Sequence, residues 1–182
     1  MKAYHHGDLR RALLDAAVDA LGEAGPAALS LRDLARRAGV SHAAPAHHFG
    51  DKAGLLTAVA IDGYRALALA LAEARVRTGS YREMGVAYVG FAVGHRAHFE
   101  VMFRPDLHRP DDPELRLAAT KAGNALAAGA RDLPDGPGPA AGLAGWSTAH
   151  GFATLWLSGA LPRSLGPDPI AAARTVLGAP AL

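Results

Sequence analysis

The chain has 182 residues, a net charge of only +2 and no cysteine, and half of it is apolar. That length allows one domain or two small ones with a sizeable core, and the missing cysteines exclude a disulfide framework, thiol redox sensing and cysteine-ligated zinc. Abundant alanine with few aromatic and β-branched residues predicts an all-α fold, and the near-neutral charge leaves any nucleic-acid function to be argued from motifs.

A first helix is expected over residues 8–24, where Leu9, Ala12, Leu13, Ala16, Ala17, Ala20 and Leu21 form one apolar stripe. Ser30 can cap a second helix, with Asp33 three residues on in the manner of a capping box. Leu31, Leu34, Ala35 and Ala38 give that helix an apolar face, and Gly39 stands where it must end in a left-handed residue. Val40 then turns back into the core. Ser41 reads as the cap of a third helix with His42, Ala43, Ala46 and His47 facing outward. Pro45, four residues after that cap, forfeits a bond to the Ser41 carbonyl and predicts a short, distorted helix. Helix, tight turn, helix is the unit whose second helix enters the DNA major groove. Any two bundle helices joined by glycine share the local pattern, but here a helix precedes the unit and a long one follows it, as in a compact DNA-reading head.

Asp51 is placed to cap that long fourth helix, expected over 51–77 and carrying Leu55, Leu56, Val59, Ile61 and Leu67. A fifth helix is expected over 80–96, with Met84, Tyr88, Phe91 and Ala92 at helical spacing, and a short sixth over 97–104. Residues 105–113 are rich in Pro, Asp and Arg and read as a loop; a seventh helix then covers 113–132. The Pro/Gly run at 134–139 separates it from an eighth helix at 140–161 and a ninth at 168–177, capped by Asp168 with Pro169 in its first turn. The total is nine helices. The runs near 67–71 and 152–161 fall short of the roughly 20 residues a bilayer span needs. No basic segment precedes an apolar run at the N-terminus. The expectation is a cytoplasmic protein without a membrane partner.

The segments LLDAAVDAL, LSLRDLARRAGVS and HHFGDKAGLL resemble the N-terminal domain of the TetR family of transcriptional regulators. Far downstream, Trp146, His150 and Gly151 resemble the Trp, His-Gly signature of a TetR C-terminal subtype, the WHG type, and the opening 4–9 and the SHAAP at 41–45 are similar to the same subgroup. The resemblance implies a DNA-binding helix-turn-helix domain at 1–52 and an effector-binding and dimerisation domain at 53–182. It also implies double-stranded operator DNA, a small-molecule effector and a second copy of the chain as partners, and a repressor released by its ligand. The candidates for DNA contact are Arg32, Ser41, His42, Ala43, His47, His48 and Lys52, the last placed for a phosphate as its TetR counterpart is. Ala46 departs from the family, which often carries an aromatic there, and so removes one expected contact.

For the effector, the candidates are Tyr88, Phe91, His95, Phe99, Met102, Phe103, Trp146 and His150, a mix of aromatics and few polar groups of the kind small-molecule pockets use. Trp146 and His150 are four apart and share a helix face; a satisfied core pair is the competing reading. His95 and His98 could approach a metal together, but no third ligand is fixed by spacing, so the surface or capping reading prevails and no metal or cofactor is expected. A Ser–His–Asp hydrolase is unsupported: there is no G-x-S-x-G elbow, and Ser147 precedes His150 without an orienting acid. The rival class is an all-α small-molecule-binding protein or enzyme with no DNA function.

Overall fold

The structure, a computed structural model, describes residues 6–131 and 139–179. Among them it has nine α-helices, one short 3-10 turn and no strand. The helices are α1 (His6–Ala28), α2 (Leu31–Arg37), α3 (Ala44–Phe49), α4 (Lys52–Thr78), α5 (Tyr81–Gly94), α6 (Arg96–Met102), α7 (Pro113–Ala130), α8 (Pro139–Leu157) and α9 (Pro169–Leu177). The expected tyrosine–histidine opening lies partly outside the described residues, and the breaker at 134–139 almost wholly so.

Two compact units emerge, divided differently from 1–52 and 53–182. The first joins the chain up to Gly63 with Ala97–Leu117, and the second joins Tyr64–Arg96 with the chain from Ala118 onward. The dividing points therefore fall inside α4, after the first residue of α6, and inside α7. By length and composition α4 could cross a bilayer, but 56% of its apolar window is buried in protein.

In the first unit, α1, α2 and α3 pack on one another. Leu13, Leu14, Ala17 and Leu21 of α1 are buried, as are Leu34, Ala35, Pro45, Phe49, Leu55, Leu56 and Val59. The stripe of α1 is shifted from the expected one: Leu14 is buried and Ala12 is exposed. Gly25, at φ 72°, breaks the helix before Pro26, and a further turn carries it to Ala28. Pro tolerates the first turn of a resumed helix because its missing N–H would have no partner there.

Gly39, at φ 66°, closes α2 as expected. The Val40 amide reaches back to the Ala35 carbonyl at 3.0 Å and the Gly39 amide to Arg36 at 3.3 Å, the paired bonds of a Schellman end. Ser30 occupies the N-cap position of α2, but its side chain makes no capping bond; the Asp33 carboxylate is spent on Arg36 and Arg37 instead. Ser41 does not cap α3, whose N-cap is Ala43. Pro45 then falls in the first turn of α3, and the Ser41 carbonyl takes the Ala44 amide at 3.0 Å. The expected distortion is absent because no bond was Pro45's to lose.

In the second unit α5 packs against both α8 and α9. Tyr88, Met84, Val89, Leu67 and Leu71 are fully buried, beside the small Ala149, Ala153, Ala172 and Ala173. Ser80 caps α5 by accepting the Glu83 amide, and Asp168 caps α9 by accepting the Ile170 amide at 2.8 Å. α8 stops at Leu157, short of 161, because Gly159 at φ 73° ends it with the Ala160 amide on the Leu155 carbonyl. Gly145 lets α8 lie against the Tyr81 ring, since a Cβ there would fall 2.7 Å from the Tyr81 oxygen. Gly151, the last residue of the Trp, His-Gly pattern, serves no close approach within the described residues: a Cβ there meets nothing within 4 Å.

Candidate nucleic-acid interface and aromatic cluster

The turn between α2 and α3 carries Ser41, His42 and Ala43 outward, and Ala46 and His47 continue the exposed face along α3. His48 is half-buried, with its ring 5.5 Å from that of His47. Arg32 is exposed at the start of α2 and lines, with Ser30, Asp33, Arg36 and His42, an open hollow of about 510 Å³. All seven expected DNA-contact residues lie in the first unit.

The arginines of α2 have unequal fates. Arg37 joins Glu23 of α1 and Asp33 at 2.7 Å each, and Arg36 joins the same Asp33. The two guanidiniums hold the Asp33 carboxyl below its usual range. Arg32, by contrast, has no ion pair among the described residues. Two further cations brace the head. The Lys52 ammonium donates to the Ala27 carbonyl at 3.2 Å, and the Arg10 guanidinium lies 5.2 Å from the centre of the Phe49 ring. Asp51 caps α4 as expected, accepting the Gly54 amide at 2.8 Å. Arg109, which the sequence leaves in a loop, reaches this cap: its guanidinium meets Asp51 at 2.9 Å.

The aromatic candidates separate. Tyr88, Phe91, His95, Trp146 and His150 belong to the second unit, and Phe99, Met102 and Phe103 to the first. The Trp146 indole N–H, which can only donate, reaches the Tyr88 oxygen at 3.3 Å. The Tyr88 hydroxyl in turn lies 2.8 Å from His150 Nδ1 and donates to it when that nitrogen is bare. Burial lowers the His150 pKa from its ordinary value and raises that of Tyr88. Both shifts favour the neutral forms this chain of bonds requires. Tyr88 is wholly buried, and Trp146 and His150 are half-buried. Phe91 is buried, and its ring stacks at 4.8 Å on that of His95. His95 sits exposed at the C-terminal cap of α5 with Nδ1 donating to the Phe91 carbonyl, a capping arrangement. Phe99 and Phe103 face each other edge to face at 5.2 Å. Among the described residues no cluster of three or more His, Asp or Glu side chains could hold a metal.

Two family models match the chain. One, described as bacterial regulatory proteins of the tetR family, matches residues 13–59; the other, a tetracyclin repressor-like C-terminal domain, matches residues 81–179. The HTH-type transcriptional regulator BetI of Rhizobium meliloti is 34% identical over 113 residues, covering 60% of this chain and 49% of that protein. The aligned stretch thus spans about half of that relative's length. A protein of unknown function from Rhodococcus sp. RHA1 has the same fold with a TM-score of 0.80 at 33% identity, covering 98% of this chain and 96% of that one. The regulator PfmR from Thermus thermophilus shares the fold at a TM-score of 0.68 and 20% identity, over 91% of this chain and 94% of that one.

Proposed function

The chain belongs to the TetR family of bacterial regulatory proteins, and we propose that it is a DNA-binding transcriptional regulator, a repressor that grips double-stranded operator DNA as a homodimer and leaves it when a small apolar effector binds. The observation that carries the reading is the Schellman turn at Gly39, which presents His42, Ala43, Ala46 and His47 together on one exposed surface beside Arg32, which makes no ion pair among the described residues. A recognition helix needs such a surface of short or hydrogen-bonding side chains to approach base edges. Lys52 and Ser41 supply backbone contacts at its margins.

Dimerisation rests on α8, where Leu143 is 58% and Leu155 47% exposed. Residues 143, 147, 151 and 155 recur every fourth position and form one slanting ridge along the helix. Two copies joined there by a two-fold axis would carry two heads, which must sit about 34–36 Å apart to reach successive major grooves. The effector site is the neighbourhood of Tyr88, Trp146 and His150, whose polar atoms meet in an apolar setting; this is also the reason to class the C-terminal half with the WHG subtype. Effector binding lowers operator affinity only by as much as the ligand prefers the released state. The protein acts in the cytoplasm without enzymatic activity, metal or membrane.

The test is selection of duplexes from a randomised library by the full-length chain, followed by sequencing. A partly palindromic motif supports the reading, and His42→Ala should shift the preferred bases. No enrichment, together with no salt-dependent retention on heparin, would favour the rival all-α small-molecule-binding protein.

A further inference from the structure

We infer that Arg109 is a positioning residue for DNA reading: by joining Thr57 to Asp51 it fixes the turn that ends the recognition helix. The inference rests on the DNA-binding reading above and concerns residues of the first compact unit alone.

The connection between α6 and α7 is rich in Pro, Asp and Arg, yet it is built from successive turns. The Leu107 amide bonds the Arg104 carbonyl at 2.9 Å and the Asp112 amide bonds the Arg109 carbonyl at 3.1 Å. Arg104 grips Asp106 with two parallel bonds of 2.9 and 2.8 Å, and Asp112 caps α7 by accepting the Glu114 and Leu115 amides. This ordered segment is anchored to the start of α4 at two points, both through Arg109.

The first anchor is the Arg109 amide, which donates to Thr57 Oγ1 at 3.0 Å. Thr57 is the buried polar residue among the described ones, 4% exposed, and its own hydroxyl proton goes to the Ala53 carbonyl at 2.7 Å. The hydroxyl thus donates into its own helix and accepts from the loop, so both capacities are used. An aliphatic residue would fill the space but strand the loop amide.

The second anchor is the guanidinium, 2.9 Å from Asp51 Oδ2, while Asp51 Oδ1 holds the Gly54 amide. One carboxylate therefore caps α4 and receives the loop. Gly54 permits the close approach of this cap to the end of α3: a Cβ there would collide with the Phe49 carbonyl oxygen, and would also fall 3.3 Å from the guanidinium. Gly50, at φ 78°, ends α3 with its amide on the Ala46 carbonyl at 2.8 Å. The residue that Arg109 holds, Asp51, thus directly follows Gly50, the C-cap of the recognition helix. Because its charge is matched by Asp51, Arg109 acts on DNA through that turn and makes no phosphate contact of its own.

The experiment compares Arg109→Gln, Asp51→Asn and the double variant in the full chain, with Arg116→Gln as a control. The probe is a duplex selected by the wild-type chain, set against a scrambled duplex of equal length. Each single variant should lower the ratio of specific to non-specific affinity about two- to fivefold, the range for one exposed ion pair. The double variant should be no worse than either, and the slope of log affinity against log salt should stay the same. Amide exchange over 44–50 should rise in both variants without DNA, and Arg109→Lys should recover part of the loss. A slope reduced by about one in Arg109→Gln, with Asp51→Asn unaffected, would make Arg109 a phosphate contact and overturn the inference. So would additive losses, or unchanged ratios in all variants. A wild-type chain that selects no duplex would instead overturn the DNA-binding reading, and the exchange data would still report on the anchor.

Discussion

The phenolic oxygen of Tyr88 and Nδ1 of His150 lie 2.8 Å apart, across 62 positions of sequence. The bond joins α5 to α8 inside one compact unit, and Trp146 completes it from one turn earlier on α8. Tyr88→Phe should cost about 1–3 kcal/mol, the usual penalty for leaving partly buried partners unmatched. Thermal unfolding checks it. His150→Phe and Trp146→Phe separate the two readings of the cluster. If it is an effector site, both variants bind DNA but no longer respond to the ligand; if it is only packing, both lose stability and DNA binding together.

Protonation of His150 would turn Nδ1 into a donor facing a hydroxyl that already accepts from Trp146. Its folded pKa is depressed, so the unfolded chain binds the proton more readily. The stabilising contribution is therefore fully present above the unfolded value of about 6.5 and is lost as pH falls from there towards the folded value. The melting temperature should drop between pH 7 and pH 5, and His150→Phe should flatten that drop. An identical drop in the variant would show that other histidines carry the dependence.

Lys52→Ala should weaken binding to every duplex and lower the salt slope by about one, as removal of one phosphate contact does. Part of the loss has a second origin, since the ammonium also holds the Ala27 carbonyl. Affinity unchanged at every salt concentration would rule out the phosphate contact.

Leu143 and Leu155 lie twelve residues apart on α8, about 18 Å along the helix. Replacing both with Glu should convert an assembly of twice 18.7 kDa into a particle of 18.7 kDa by light scattering. A wild-type chain that already runs at the smaller mass would remove the two-head mechanism.

Thr57→Val should destabilise by about 1–3 kcal/mol despite its matched volume, because the Arg109 amide loses its acceptor. Thr57→Ser should cost less. Urea unfolding of both, followed by amide exchange at Arg109, distinguishes a lost anchor from general loosening.

Local signals in the sequence carry far. Gly39, Asp51 and Asp168 announce helix ends that the structure contains, because a cap or a left-handed residue depends on only a few neighbours. The same locality explains the errors. Ser41 and Pro45 can serve either as cap and interior or as turn and first helical turn, and only the packing of α2 on α3 decides between them. Phe99, Met102 and Phe103 group with Tyr88 in the sequence because aromatics are common in that half of it; they fall in the other compact unit. Arg109 meeting Asp51 and Tyr88 meeting His150 are separated by 58 and 62 positions, and a single sequence holds no trace of which distant partners will meet.

The run Glu23–Arg37–Asp33–Arg36 has a consequence for how such a protein finds its target in a chromosome. Four charged groups sum to zero on the side of the head nearest the turn, so they add little to the sequence-blind attraction of a phosphate lattice. A head with these charges paired internally would spend less of its binding on bulk DNA, and its discrimination would come from close fit at short range rather than from charge.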